Sequence, residues 1–293
     1  MCLHGFLQIR SIIEVFVPLN GNGWRPRTVT RFVRALGTAT GTVQVDTDMG
    51  EGFLKALGNP EGPHALACEY VGSMLADWMG LSTFDFSLID LIGDYEIPFL
   101  RGGFANPGPA FISREEKYGI GWGGTAGELR LITNRHEISG LVVMDTWVLN
   151  CDRYAPLGRR MNLDNVFLVQ CPGRTKKVHL KAMDFTHAFT CGREIDRRLR
   201  FIDTIRDQGI YGLFPEFMDF LDREQVIHFS NRLSQFSPAQ AQEFIRLVPE
   251  AWEVDQEGRS AWAFMLSERA RFVSETIEAR LWPQMEFQEG GTE

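Results

Sequence analysis

An α+β fold of two lobes is predicted, with a small antiparallel β-lobe carrying one helix followed by a mainly helical lobe. Three observations predict it. Residues 28–57 are β-branched and aromatic with glycine punctuation, residues 64–80 are apolar at helical spacing, and from residue 136 onward helical patterning is interrupted by one short strand pair. The 293-residue chain is long enough for one large domain or two lobes around a cleft. Its 44% hydrophobic and 23% charged residues exclude wholesale disorder.

The first segment, TVTRFVRALGTATGTVQVDTDMGEGFLKAL, is cut by Gly37, Gly41, Gly50 and Gly52 and reads as three antiparallel strands. HALACEYVGSMLADWMG then repeats apolar residues at 66, 67, 70, 71, 74, 75, 78 and 79, a helix stopped by Gly80. TFDFSLIDLI (83–92) is β-like. The Gly/Pro-rich stretch 101–128 reads as a loop crossing between lobes. HEISGLVVMDTWVLN (136–150) is a largely buried helix, NVFLV (165–169) and KVHLKAMDF (177–185) are a strand pair, and 196–282 hold amphipathic helices. No repeat of fixed period occurs. These boundaries divide the chain into a β-lobe (1–110), a hinge and connecting loop (111–135) and a helical lobe (136–293).

A net charge of −8 disfavours a nucleic-acid or acidic-membrane binder, whose affinity rests on clustered cations. The basic runs at 174–177 and 193–200 read as solvated faces. Five cysteines without a CxxC pair suggest neither a zinc site nor a disulfide framework; reduced thiols in the cytoplasm are expected. The opening MCLHGFLQIRSIIEVFVPL is too interrupted by polar residues for a signal core or a membrane span.

Several residues could carry chemistry. Lys55 lies near the end of GFLKAL, where alternation sets Phe53, Lys55 and Leu57 on one face. Glu69 falls among apolar neighbours on the next helix, and a carboxylate there needs a partner, for which Lys55 is the obvious candidate. Gly37 and Gly41 bracket the first hairpin turn. They would let backbone amides approach phosphates, or they serve turn geometry alone. DTDMGEG lacks the sixth-position glycine and twelfth-position glutamate of a calcium loop and reads as an acidic hairpin turn. Asp152 should emerge where the 136–150 helix runs out. Asn165 and Asp184 flank the predicted strand pair, which would bring an amide and a carboxylate together as oxygen ligands for Mg²⁺. A cation for phosphates, metal ligands and a carboxylate for an acceptor hydroxyl are the parts that phosphoryl transfer needs.

In that order, FLKALGNPEGPHALACEYVGSMLADWMGL, DTWVLNCDRY, DNVFLV, LKAMDFTHAF and the late VPEAWEVDQEGRSAWAFMLSERARFV resemble the HipA-like kinases, within the broader protein-kinase and lipid-kinase fold, over about residues 28–282. The resemblance implies ATP and Mg²⁺ as cofactors and transfer of the γ-phosphoryl group to a hydroxyl, on Ser or Thr of a protein. It gives Lys55 as phosphate-binding lysine, Glu69 as its partner, Asp152 as catalytic base, Asn165 and Asp184 as metal ligands, and Arg153 as the arginine following the catalytic aspartate. Gly37 and Gly41 would cover the nucleotide, and backbone near FISREE (111–116), Glu115 included, would bind adenine. An antitoxin or regulatory protein stands beside the acceptor among the partners the resemblance admits; membrane and nucleic acid do not.

Two departures stand out. Tyr154 occupies a position where the family commonly has histidine. Kinases commonly place the asparagine five residues after the aspartate, which would select Leu157, yet here Asn165 follows Asp152 by thirteen. Three readings of the loop stand: bulged with Asn165 in place, with Asn162 as ligand, or degenerate. Asn165 is preferred because a ligand directly before a strand is positioned by the scaffold. Two further readings therefore stand beside a protein kinase: a pseudokinase acting as a binding module and a small-molecule phosphotransferase. His187, three residues after Asp184, could orient the metal-binding loop or a phosphate; a structural histidine is the preferred reading. Trp252, Trp262 and Trp282 read as core or interface residues.

Overall fold

Three strands in antiparallel succession, Val29–Ala35 (β1), Val43–Thr47 (β2) and Gly50–Lys55 (β3), open the fold in a computed structural model that describes residues 23–93, 96–156, 161–171, 173 and 176–283. The opening segment, Leu157 within the insertion, and Arg174 and Thr175 of the first basic run lie outside the described residues. The acidic turn between β2 and β3 is a structural device: Asp48 Oδ1 accepts the N–H groups of Arg27 (2.9 Å) and Thr28 (3.2 Å) and anchors the entry to β1.

Phe86–Leu91 (β4) and Gly108–Arg114 (β5) complete an antiparallel sheet of order β1-β2-β3-β5-β4. Much of the stretch expected as a loop at 101–128 is thus regular structure: β5 is an interior strand, Gly119–Gly121 forms a short strand (β6) and Ala126–Leu129 a helical turn (α2). Gly108 and Pro109 hid β5, yet they stand at its start, where a missing N–H is tolerated. Its interior, Ala110-Phe111-Ile112, is buried. The chain leaves the five-stranded sheet after Arg114 and joins a second, three-stranded sheet at Gly119.

The helix Pro63–Met79 (α1) begins with proline at its first turn and ends on Gly80 in the left-handed region (φ 84°), whose N–H reaches back to the carbonyls of Ala76 and Asp77. It is buried nearly all round, because one side faces the sheet and the other joins the core of the helical lobe. Leu54, Ala56, Val43, Val45 and Ile112 form a smaller core on the far face of the sheet. Strand alternation therefore turns Leu54 and Ala56 outward to the small core and Lys55 inward to α1.

The helical lobe is built on His136–Val148 (α3), which runs into a single helical turn, Cys151–Tyr154 (α4), through Leu149 in the left-handed region. The hairpin Val166–Gln170 (β7) and Val178–Ala182 (β8) follows, with Val166 opposite Ala182. A short helix, Ile202–Ile205 (α5), precedes Arg223–Ser234 (α6), Pro238–Arg246 (α7) and the long Gln256–Leu281 (α8). The last three start on side-chain caps from Asp222, Ser237 and Asp255. Trp147 Nε1 donates to Leu266 O (2.9 Å), joining α3 to α8, while Trp252 and Trp262 are fully buried. No described helix is long and apolar enough to cross a membrane.

Candidate active site

At the inner face of β3, Lys55 Nζ lies 3.0 Å from Glu69 Oε2 on α1 and 3.2 Å from Asp184 Oδ1 in the loop after β8. Glu69 Oε2 also accepts the N–H of Phe185 (2.9 Å), and Thr186 Oγ1 donates to Asp184 Oδ1 (2.7 Å). Asp184 takes a left-handed backbone (φ 58°), which short polar side chains tolerate, and this turns its carboxylate back toward the lysine. Burial works against the charge on Lys55, but the carboxylates of Asp184 and Glu69 outweigh it and hold the ammonium above its ordinary pKa. Burial likewise opposes ionisation of Asp184, and Lys55 with Thr186 overcomes it, so that carboxyl titrates below its usual range.

The close approach of the Asp184 loop to α1 has a sequence cause. A methyl at Gly72, one helical turn after Glu69, would overlap the side chain of Phe185. Glycine there allows Phe185 to seat directly on the helix that carries the glutamate.

Asp152 stands on α4, and its Oδ2 accepts from both Asn162 Nδ2 (3.0 Å) and Asn165 Nδ2 (2.9 Å). The neighbouring Arg153 is wholly buried and holds this arrangement. Its Nε donates to Asp145 Oδ2 (2.6 Å), one terminal nitrogen to Asn165 O and the other to Met183 O (2.8 Å). One guanidinium thus ties the Asp152 turn to the start of β7 and the end of β8, the places from which Asn165 and Asp184 project. Asn150 Nδ2 satisfies the other oxygen of Asp145 (3.0 Å). The sequence reading missed this pair; the buried Asp in the apolar run VVMDTWVLN, which demands a cation, could have signalled it.

His187 lies between the lobes. Its Nε2 is 3.0 Å from Glu61 Oε1, in the loop between β3 and α1, and its Nδ1 is 3.6 Å from Asp152 Oδ2. The two carboxylates raise the imidazole pKa to about 10, Asp152 contributing most, and the imidazolium in turn holds Asp152 down to about 2. At 3.6 Å the attraction is one of charge more than of hydrogen bonding. Nothing local in the sequence pointed to Glu61, which stands 126 residues from its partner.

Tyr154 packs on Phe214, ring centroids 5.3 Å apart. In the β1–β2 turn, Gly41 (φ 64°) donates to Thr38 O (3.2 Å) and lies beneath Phe99; Gly37, Thr38 and Ala39 are exposed, and Thr40 is buried. Glu115 N–H is engaged by Glu51 O (3.0 Å) and its carboxylate by Gln44 (2.9 Å), leaving its carbonyl as the group it could offer an adenine.

The donor set suits a hard divalent cation. Among the described residues no hydrogen bond falls on Asn165 Oδ1 or Asp184 Oδ2, and no three His, Cys, Asp or Glu cluster as metal ligands. One amide and one carboxylate oxygen are what Mg²⁺ takes when phosphates and water complete its shell.

A β-lobe with a Lys–Glu pair, a helical lobe with an Asp–Arg turn and an Asn–Asp pair across a hairpin define the class: the chain has a two-lobed kinase-like fold. No family model and no curated protein matches it. Among solved structures it is similar to the Helicobacter pylori proinflammatory kinase CtkA, with a TM-score of 0.57 at 13% identity over 88% of this chain and 97% of that one. A Golgi casein kinase aligns more loosely, with a TM-score of 0.44 at 8% identity over 89% of this chain and 74% of that one.

Proposed function

We propose that the chain is an ATP- and Mg²⁺-dependent phosphotransferase of the HipA-like kinase type, passing the γ-phosphoryl group to a hydroxyl on Ser or Thr of a protein. The observation that carries this reading is the joining of two constellations, Lys55 with Glu69 and Asp184, and Asp152 with Asn165, through the backbone grip of Arg153. Support also comes from the fold shared with CtkA, itself a kinase.

Lys55, held by two carboxylates, presents its ammonium to nucleotide phosphates. Asn165 and Asp184 would hold Mg²⁺, which when bound neutralises charge on the phosphates. Asp152, ionised throughout the physiological range, accepts a hydrogen bond from the acceptor hydroxyl and orients its oxygen. The bond from that oxygen to the γ-phosphorus forms as the bond to the bridging oxygen of ADP breaks, and the hydroxyl proton passes to Asp152. A carboxylate held near pKa 2 is a weak base, so its contribution is mainly orientation until late in the transfer. Asp152→Asn and Asp184→Asn should each lower transfer of radiolabelled phosphate from ATP by about 10³-fold or more while leaving the melting curve two-state. Nucleotide binding by a wild-type chain whose turnover equals that of Asp152→Asn would identify a pseudokinase instead.

A further inference from the structure

We propose that His187 is a further catalytic residue, the cation that meets the transferred phosphoryl group at the Asp152 end of the cleft. The inference rests on the phosphotransferase reading. In such a transfer charge spreads over the three equatorial oxygens of the moving group, and a fixed cation beside the acceptor is what stabilises it.

Among the described residues, the other cations near Asp152 and Asp184 are already committed. Lys55 is divided between Glu69 and Asp184, and all three nitrogens of Arg153 are engaged by Asp145, Asn165 and Met183. Lys181 is paired with Glu116 (3.0 Å) and its ammonium also donates to Thr83 O (2.8 Å). His187 differs. Nε2 is fastened to Glu61, which fixes the ring, whereas Nδ1 is buried and makes no hydrogen bond to any described residue. That nitrogen lies 3.6 Å from Asp152 Oδ2, too far to be satisfied by it yet on the side where an acceptor hydroxyl and a phosphoryl oxygen would meet. A buried N–H left unpaired beside a reactive carboxylate costs stability unless a ligand completes it. The role involves no bond change at the imidazole: it keeps its proton and donates one hydrogen bond to a phosphoryl oxygen.

The site can be tested without knowing the acceptor. Binding of Mg·ADP and of Mg·ADP with aluminium fluoride, which mimics the moving phosphoryl group, is measured by calorimetry for wild type, His187→Gln, His187→Asn and His187→Lys. The neutral variants should keep Mg·ADP affinity within about twofold and lose about tenfold or more for the fluoride complex, with His187→Lys recovering part of the loss. Neutral variants that bind the fluoride complex as wild type does, or that lose both ligands equally with no rescue by lysine, overturn the proposal. A wild-type chain that binds neither ligand overturns the phosphotransferase reading itself, and this inference with it.

Discussion

At Lys55 the cleft is closed around tightly paired charge, and at Asp152 around two amide hydrogen bonds beside a looser ion pair with His187. The side chains of Lys55 and Glu69 keep 12% and 6% of their surface exposed, with only Asp184 open at 25%, whereas Asp152 and His187 keep 19% and 22%. Buried charges cannot part without leaving a bare ion, which costs several kcal/mol. An amide donor such as Asn162, only partly buried, can turn from one acceptor to another at lower cost. The end that would hold nucleotide is therefore rigid before anything binds, and the end that would receive an acceptor can rearrange around it.

The largest break in this contrast should come from Lys55→Met. It strips the cation from Glu69 and Asp184, and should cost about 3–5 kcal/mol in urea unfolding together with about 10³-fold or more in transfer. Adding Glu69→Leu should recover stability without activity. A single mutant as stable as wild type would show that the lysine end is not held by charge. Next in size, Asn165→Ala should raise the Mg²⁺ concentration needed for half-maximal nucleotide binding by about 10–100-fold, and Asn162→Ala should change it little. The reverse ranking would transfer the ligand role to Asn162. Gly72→Ala should cost about 1–3 kcal/mol by forcing Phe185 off α1, measurable as a lower urea midpoint at unchanged m.

The smallest effect sharpens the other end. His187, facing Glu61, Asp152 and the Cys191 thiol, has its pKa raised from 6.5 to about 10. Its stabilising contribution is complete below pH 6.5, where folded and unfolded chains both carry the proton, and is lost as pH rises toward 10. The melting difference between wild type and His187→Gln should thus be largest, about 2–4 °C, below pH 6.5 and shrink to nothing near pH 10. A difference constant across that range would mean that packing, not charge, holds the imidazole.

The local parts of the molecule were legible. Strand alternation in 28–57 and the apolar period of 64–80 are properties of single elements, so β1–β3 and α1 could be read from them. Glu69 was readable because a carboxylate among apolar neighbours requires a cation, and Lys55 was near in sequence. β5 was obscured because Gly108 and Pro109 weigh on composition although they occupy only its start. The thirteen-residue spacing from Asp152 looked disruptive, yet Asn165 meets Asp152 all the same. Arg153 grips the Asn165 carbonyl directly, so the length of chain between them need not matter. The Glu61–His187 contact had no local signature, since it arises only when the β3–α1 loop and the segment after Asp184 converge.

The seating of Phe185 on Gly72 bears on how such a protein could be controlled. α1 shares the main core with α3, and the Asp184 loop rests on it with no side chain between. Swinging α1 outward to part Glu69 from Lys55 would tear both contacts, so that form of on–off switching is closed to this chain. We predict amide exchange across α1 as slow as across α3; fast exchange confined to α1 would refute it. Restraint on the phosphotransferase proposed above would then have to come from outside its fold, through its abundance or through a protein that occupies the cleft.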